Sequence, residues 1–167
     1  RKILEAMGIK HYEIENFEAD DIIGTIAAMA DKDPEFDAPI VSSVRDLLQL
    51  ISDVVDVKLL KQKGFIRYNK ETFKDDYGIE PIRIIDLKAL SGDASDNVPG
   101  VKGIGEKTAL KLLQEYGTLE NIYANIDLIK GATHERLVND RDSAFFSKDI
   151  CTIYREVPLE DTLDSMK

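Results

Sequence analysis

The segment from Ser91 to Leu113, SGDASDNVPGVKGIGEKTALKLL, constrains this chain more than any other. Its first half puts Asp93 and Asp96 on a tight turn rich in Gly, Ser and Asn. Its second half, GVKGIGEKT, is a glycine hairpin that leads into a strong helix. Clustered carboxylates suit a hard divalent cation. A Gly-x-Gly turn at a helix N-terminus suits a phosphate. Side by side, the two halves point to metal-dependent chemistry on a phosphodiester.

The 167 residues make one domain or a compact pair of subdomains. A hydrophobic share of 43% supports a core, and 32% charged residues support a soluble surface. No apolar run approaches the roughly 18 residues of a membrane span. The opening RKILEAMGIK has no signal-peptide pattern. It reads as the tail of a helix, so the chain is expected to be a fragment of a longer one. The single Cys151 excludes an internal disulfide and fits a reducing, cytoplasmic setting. The net charge of −10 argues against a simple nucleic-acid binder, which is usually basic. Either the chain is an ordinary acidic protein, or part of the excess is a carboxylate nest that a metal neutralises.

Periodicity predicts a helix over 2–7 stopped by Gly8, a strand at His11–Glu15, and a helix over 18–30 with Asn16 as N-cap. Ile22, Ile23 and Ile26 face inward from that helix. A strand at 40–43 turns into a helix over 46–51. Strands follow at 54–60 and 65–68, joined by a turn at Lys63-Gly64. Helices are expected over 71–77, 81–90 and 118–124, with Thr118 as a cap, and over most of 133–153. The tail from Val157 has little periodicity. Strands alternating with helices in the first half predict a parallel α/β sheet, and the second half is nearly all helix.

Sites in open α/β sheets form beyond the carboxyl ends of strands. Two acidic groups fall there: Glu18, Asp20 and Asp21 after the first expected strand, and Asp46 after the second. Each has an ordinary explanation, since acidic residues favour helix N-termini and Asp is common in turns. The conjunction with Asp93 and Asp96 is more telling, because such a cluster stays fully ionised only with a cation. Oxygen-only ligands favour Mg²⁺ or Mn²⁺. His11 and His134 read as structural or surface residues.

In the hairpin, Gly103 and Gly105 permit a turn with outward N–H groups, and Ile104 anchors it. Lys102, Lys107 and Lys111 add positive charge nearby. Such a turn grips phosphate without reading bases. A glycine-rich helix start that binds nothing is the plainer alternative.

These residues carry a family resemblance. FEADDIIGTIA (17–27), SVRDLLQLIS (43–52), the block from Tyr77 to Leu113, YGTLENIY (116–123) and AFFSKDICTIYREVPLE (144–160) occur in order. The chain resembles the 5′-nuclease domains found at the N-terminus of bacterial DNA polymerase I, within the wider flap-endonuclease family. The resemblance implies a PIN-like, Rossmann-like α/β fold: a parallel sheet flanked by helices over 1–90, then a helical helix–three-turn–helix DNA-binding region over 91–167. It implies hydrolysis of DNA at 5′ flaps and nicked or branched duplexes with two Mg²⁺ or Mn²⁺ ions. Glu18 and Asp20 would hold the first ion with Asp21 adjacent, and Asp46, Asp93 and Asp96 the second. The hairpin, Gly100, Lys102, Gly103, Ile104, Gly105, Lys107, Thr108 and Lys111, would hold duplex DNA, with K⁺ on its carbonyls. A fused or separate polymerase and a bacterial nucleoid setting go with the resemblance.

The match has departures. The family has Asp where this chain has Val44. Its opening strand with an Asp ligand, a further upstream Asp, and a basic arch are all expected to precede Arg1. Little or no activity is therefore expected of the 167 residues alone. A non-catalytic duplex-DNA-binding module is the competing expectation.

Overall fold

The computed structural model describes every residue except Pro34 and Lys167. Helix α1 (Lys2–Ala6) buries no residue and ends at Gly8, whose φ of +69° no β-carbon obstructs. Residues 11–15 form no strand, despite their alternation. A strand exists only through a ladder partner, and no strand of the sheet pairs with this segment. Asn16 is not the cap of α2 (Ala19–Ala30) either. It sits at φ +67°, whereas Glu18 has the extended backbone a cap requires. Ile22 is buried, while Ile23 and Ile26 are half-buried.

Strand β1 (Ile40–Ser42) pairs in parallel with β2 (Val57–Lys61), and β3 (Gly64–Tyr68) pairs antiparallel to β2. The sheet is thus mixed rather than wholly parallel. Lys61 faces Gly64 across a two-residue turn, and so short a link can only join antiparallel strands. The link from β1 to β2 is a 3₁₀ helix at Arg45–Leu50, not the expected α-helix. Three residues per turn put Leu47 and Leu50 on one line. Both enter a small cluster with Ala27, Val55 and Ile153, while Leu48 points into the main core.

Helix α3 (Lys70–Tyr77) is closed at both ends as its sequence dictates. The Asn69 side chain accepts from the Thr72 N–H at 2.9 Å, and Gly78 ends the helix at φ +68°. Pro81 opens a 3₁₀ turn that continues into α4 (Ile84–Ser91). Then come α5 (Glu106–Tyr116), α6 (Leu119–Ala124) capped by Thr118, α7 (Gly131–Asn139) and α8 (Arg141–Cys151).

One core cluster runs from Leu48, Leu59 and Phe73 through Leu90 and Leu113 to Leu137, so the sheet and α3–α8 share an interior. Burying each such side chain contributes about 1.5–3 kcal/mol. Helix α4 lies at its centre. Its Asp86 is fully buried, 2.9 Å from Arg83 and 2.7 Å from Lys148 on α8. Beyond α8 the chain is held by side chains rather than by a ladder. Gln49 accepts from the Ile153 N–H, Asp21 from Tyr154 and Thr25 from Val157. Among the described residues, no helix is long and apolar enough to cross a membrane.

Candidate metal centre and nucleic-acid interface

Asp46 comes from the first turn of the 3₁₀ helix just after β1. Asp93 and Asp96 come from the turn after α4, which the Asp93–Val98 bridge closes at 2.9 Å in both directions. The three offer carboxylate oxygens that all lie within 4.8 Å of one another. Among the described residues they are the only such group of three or more potential metal ligands. Glu18, Asp20 and Asp21 stand outside it, although Asp20 lies close enough to feel it. Partial burial and then the charges of Asp46, Glu18, Asp21 and Asp96 push the Asp20 carboxyl above its usual range.

Asp21 is already occupied. One oxygen accepts from the Glu18 N–H at 3.1 Å, the other from the Tyr154 N–H at 3.0 Å. Val44 caps the 3₁₀ helix with an exposed apolar side chain and brings no oxygen ligand.

Lys88, in the last turn of α4, carries a feature the sequence reading missed. Its ammonium touches Asp46 and lies 2.7 Å from Asp93 and 3.5 Å from Asp96. Only 12% of the side chain is exposed. Burial pulls the Lys88 pKa down, but pairing with Asp46 and Asp93 outweighs it and the net direction is up. The same contact, followed by bonds from Ser95, holds the Asp93 carboxyl far below its ordinary value. A lone cation in the apolar run IIDLKAL, five residues before Asp93, was the available signal. An oxygen-only set of three carboxylates fits a hard divalent ion. The buried Asp46 Oδ1 has no hydrogen bond, only its ion pair with Lys88.

The hairpin follows directly. Gly92 and Gly100 have φ of +71° and +62° and their backbones touch. The Gly100 N–H donates to Ser147 at 2.9 Å, and its carbonyl accepts from Ser143 at 2.6 Å, both on α8. Ile104 is buried as expected. The Lys102 N–H donates to Asp140, and the Gly103 carbonyl accepts from Arg136 at 2.9 Å. The N–H groups of Gly103, Gly105, Glu106 and Lys107 have no protein acceptor among the described residues. Lys102, Lys107 and Lys111 are exposed, and Thr108 is half-buried. Glu106, an acid at this helix start, is paired with Arg45 at 2.8 Å. Arg45 also lies against Tyr77, so it links the carboxylate site to the hairpin helix.

A carboxylate cluster beside a glycine hairpin with free N–H donors is an arrangement suited to metal-dependent chemistry on a phosphodiester. Two family descriptions match end to end: "5′-3′ exonuclease, N-terminal resolvase-like domain" over residues 1–78, and "5′-3′ exonuclease, C-terminal SAM fold" over residues 79–167. The chain belongs to the 5′-3′ exonuclease family. It is 48% identical to DNA polymerase I of Bacillus caldotenax over 170 residues, 99% of this chain and 19% of that protein. With DNA polymerase I of Bacillus subtilis the identity is 42% over 171 residues, 100% of this chain and 19% of that protein. The chain thus spans about a fifth of the length of the curated relatives it matches. Among solved structures, T5 5′-exonuclease with bound divalent metal ions (zinc) superimposes with a TM-score of 0.75 at 23% identity. That match covers 91% of this chain and 56% of the other. The catalytic core of Rad2 in complex with DNA substrate gives 0.60 at 22%, covering 96% and 54%. At these identities the likeness establishes the fold: a PIN-like α/β layer with a helical hairpin region.

Proposed function

We propose that the chain belongs to a metal-dependent 5′-3′ deoxyribonuclease that cuts 5′ flaps and nicked or branched duplex DNA. The observation that carries this reading is the three-aspartate cluster, joined through Gly92 and Gly100 to a hairpin with four unspent N–H groups. Asp46, Asp93 and Asp96 would hold one Mg²⁺ or Mn²⁺ ion, and Glu18 and Asp20 another. When bound, two such ions supply an activated water and offset charge on the departing oxygen. Asp21 positions its neighbours, since its oxygens already serve the start of α2 and Tyr154. Gly103, Gly105, Glu106 and Lys107 offer backbone donors to a phosphate, with Lys102, Lys107 and Lys111 as surrounding charge. K⁺ at the hairpin is a separate proposal. It would displace Arg136 from the Gly103 carbonyl.

In this reading residues 1–90 supply the α/β nuclease core with Glu18, Asp20 and Asp46, while 91–167 bring Asp93 and Asp96 and hold duplex DNA, with a fused or separate polymerase as partner. The 167 residues alone cleave little or nothing, because Val44 contributes no ligand. The same residue favours the second reading, a duplex-binding module without catalysis.

Cleavage of a 5′-flap substrate in Mg²⁺ or Mn²⁺ tests both, alongside duplex binding measured by fluorescence anisotropy. Binding that weakens steeply with salt and falls on Lys102→Glu or Lys107→Glu is expected under either reading. Robust cleavage by the 167 residues refutes the inactivity, and unchanged affinity in both variants refutes the role of the hairpin.

A further inference from the structure

We infer that Lys88 is the resident cation of the three-aspartate cluster and competes with a divalent ion for the same carboxylate oxygens. The inference rests on the metal-binding reading above and concerns how that site is tuned.

The geometry leaves little room for both cations. The Lys88 ammonium touches Asp46, is 2.7 Å from Asp93 and reaches Asp96 at 3.5 Å. A divalent ion on oxygens that lie within 4.8 Å of one another needs ligand distances of roughly 2.0–2.6 Å, so it falls where Nζ now sits. The ammonium is also held in place. The Lys88 side chain is only 12% exposed and stands on a helix whose Ile84, Ile85, Leu87, Ala89 and Leu90 are all buried. The last turn of α4 is the negative end of a helix dipole, where a cation is favoured. The neighbouring cations are engaged elsewhere, Arg45 by Glu106 and Lys148 by Asp86 and Glu120.

Two consequences follow. Without metal, Lys88 relieves the repulsion among the three carboxylates, so the turn keeps its shape when empty. With metal, the ion must expel an ammonium paired to each of its ligands, which weakens metal binding at this site.

The test compares the 167-residue chain with its Lys88→Met variant, using Mn²⁺ alone in titration calorimetry. Lys88→Met is expected to bind Mn²⁺ roughly tenfold more tightly, which corresponds to about 1.4 kcal/mol of competition removed. Its melting temperature is expected to fall in chelator and recover with Mn²⁺. Asp93→Asn serves as the control for binding at this site. Where Lys88→Met does not fold without metal, the unmodified chain decides, with ¹³C-labelled lysine and Mg²⁺ titrated in. The Lys88 side-chain resonance is then expected to move in step with binding.

Wild-type binding that depends on Asp93, with equal or weaker binding by Lys88→Met, overturns the competition and leaves the metal site standing. A Lys88 resonance unmoved at saturating Mg²⁺ does the same. No Mn²⁺ binding by either chain overturns the metal reading and this inference together.

Discussion

Replacing Gly100 by alanine tests whether the carboxylate turn and the hairpin form one unit. Gly100 has φ +62°, and a β-carbon there would stand 2.3 Å from the Gly92 nitrogen, 2.6 Å from its Cα and 2.9 Å from the Ser91 carbonyl carbon. All three are backbone atoms, so no side chain can swing aside. The two segments must part by roughly 1 Å to reach ordinary contact in a close-packed interior. They resist this, because Ser147 and Ser143 fix both polar groups of Gly100 to α8. The left-handed backbone costs about 1–2 kcal/mol, and overpacking adds about 1–3 kcal/mol, for a total of about 2–5 kcal/mol. Two other glycines separate the contributions. Gly117 has φ +83° with open space, so Gly117→Ala carries only the backbone cost of about 1–2 kcal/mol. Gly105 has φ −91°, also with open space, and Gly105→Ala costs under about 1 kcal/mol as a weaker N-cap. Urea unfolding measures the stabilities, and Mn²⁺ calorimetry reads the displaced aspartates. A Gly100→Ala loss no larger than that of Gly117→Ala, with Mn²⁺ affinity intact, refutes the reasoning.

Lys148→Met leaves the buried Asp86 carboxylate with Arg83 alone, and denaturant unfolding is expected to register a loss of about 3 kcal/mol. Asp86→Asn is also expected to destabilise, since Arg83 and Lys148 meet different carboxylate oxygens and an amide turns its NH2 toward one of them, and unchanged stability contradicts this account. Burial pushes the Cys151 thiol up to about 11, so at pH 8 on the order of one thiol in a thousand is ionised. Iodoacetamide is therefore expected to label Cys151 only on unfolding, and rapid native labelling counts against it. Hydrogen bonds from Tyr12, Lys10 and Ser165 hold the Asp161 carboxyl down to about 2, against an ordinary 3.8. A depressed carboxylate contributes stability that is present above the unfolded value and lost as pH falls through the folded one. The link between residues 10–12 and the tail is then expected to open between about pH 4 and pH 2. Limited pepsin digestion detects this, and Asp161→Asn is expected to have lost the link already at pH 5.

Elements fixed by local chemistry were legible in the sequence. The Asn69 cap and Gly78 stop bound α3, and Thr118 caps α6, each through groups a few residues apart. The misread elements depended on distant partners. The alternation at 11–15 was real, but pairing is a tertiary event and no strand of the sheet takes it up. The 3₁₀ form at 45–50 follows from serving two cores at once, which the pattern LLQL does not disclose. In the candidate site, the clustering of Asp46, Asp93 and Asp96 was legible because their residue type and placement after strand and turn are local facts. Lys88, Arg136 and Asp140 were not, because their roles come from facing the site across helix packing.

Helix α8 explains how carboxylates and hairpin can act at one spacing. Its Ser143 and Ser147 clamp Gly100 at the junction of the two. Its Lys148 joins the Asp86 of α4, the helix that also carries Lys88 and leads into Asp93. In the proposed reading, a phosphate on the hairpin N–H groups would be referenced to the aspartates through helices rather than through the loop alone. Asp140, just before α8, takes the Lys102 N–H, so the donors left free are those nearest the start of α5. The glycines allow the turn, but α8 fixes where it points, so the phosphate grip proposed for the hairpin would depend on residues some forty positions away.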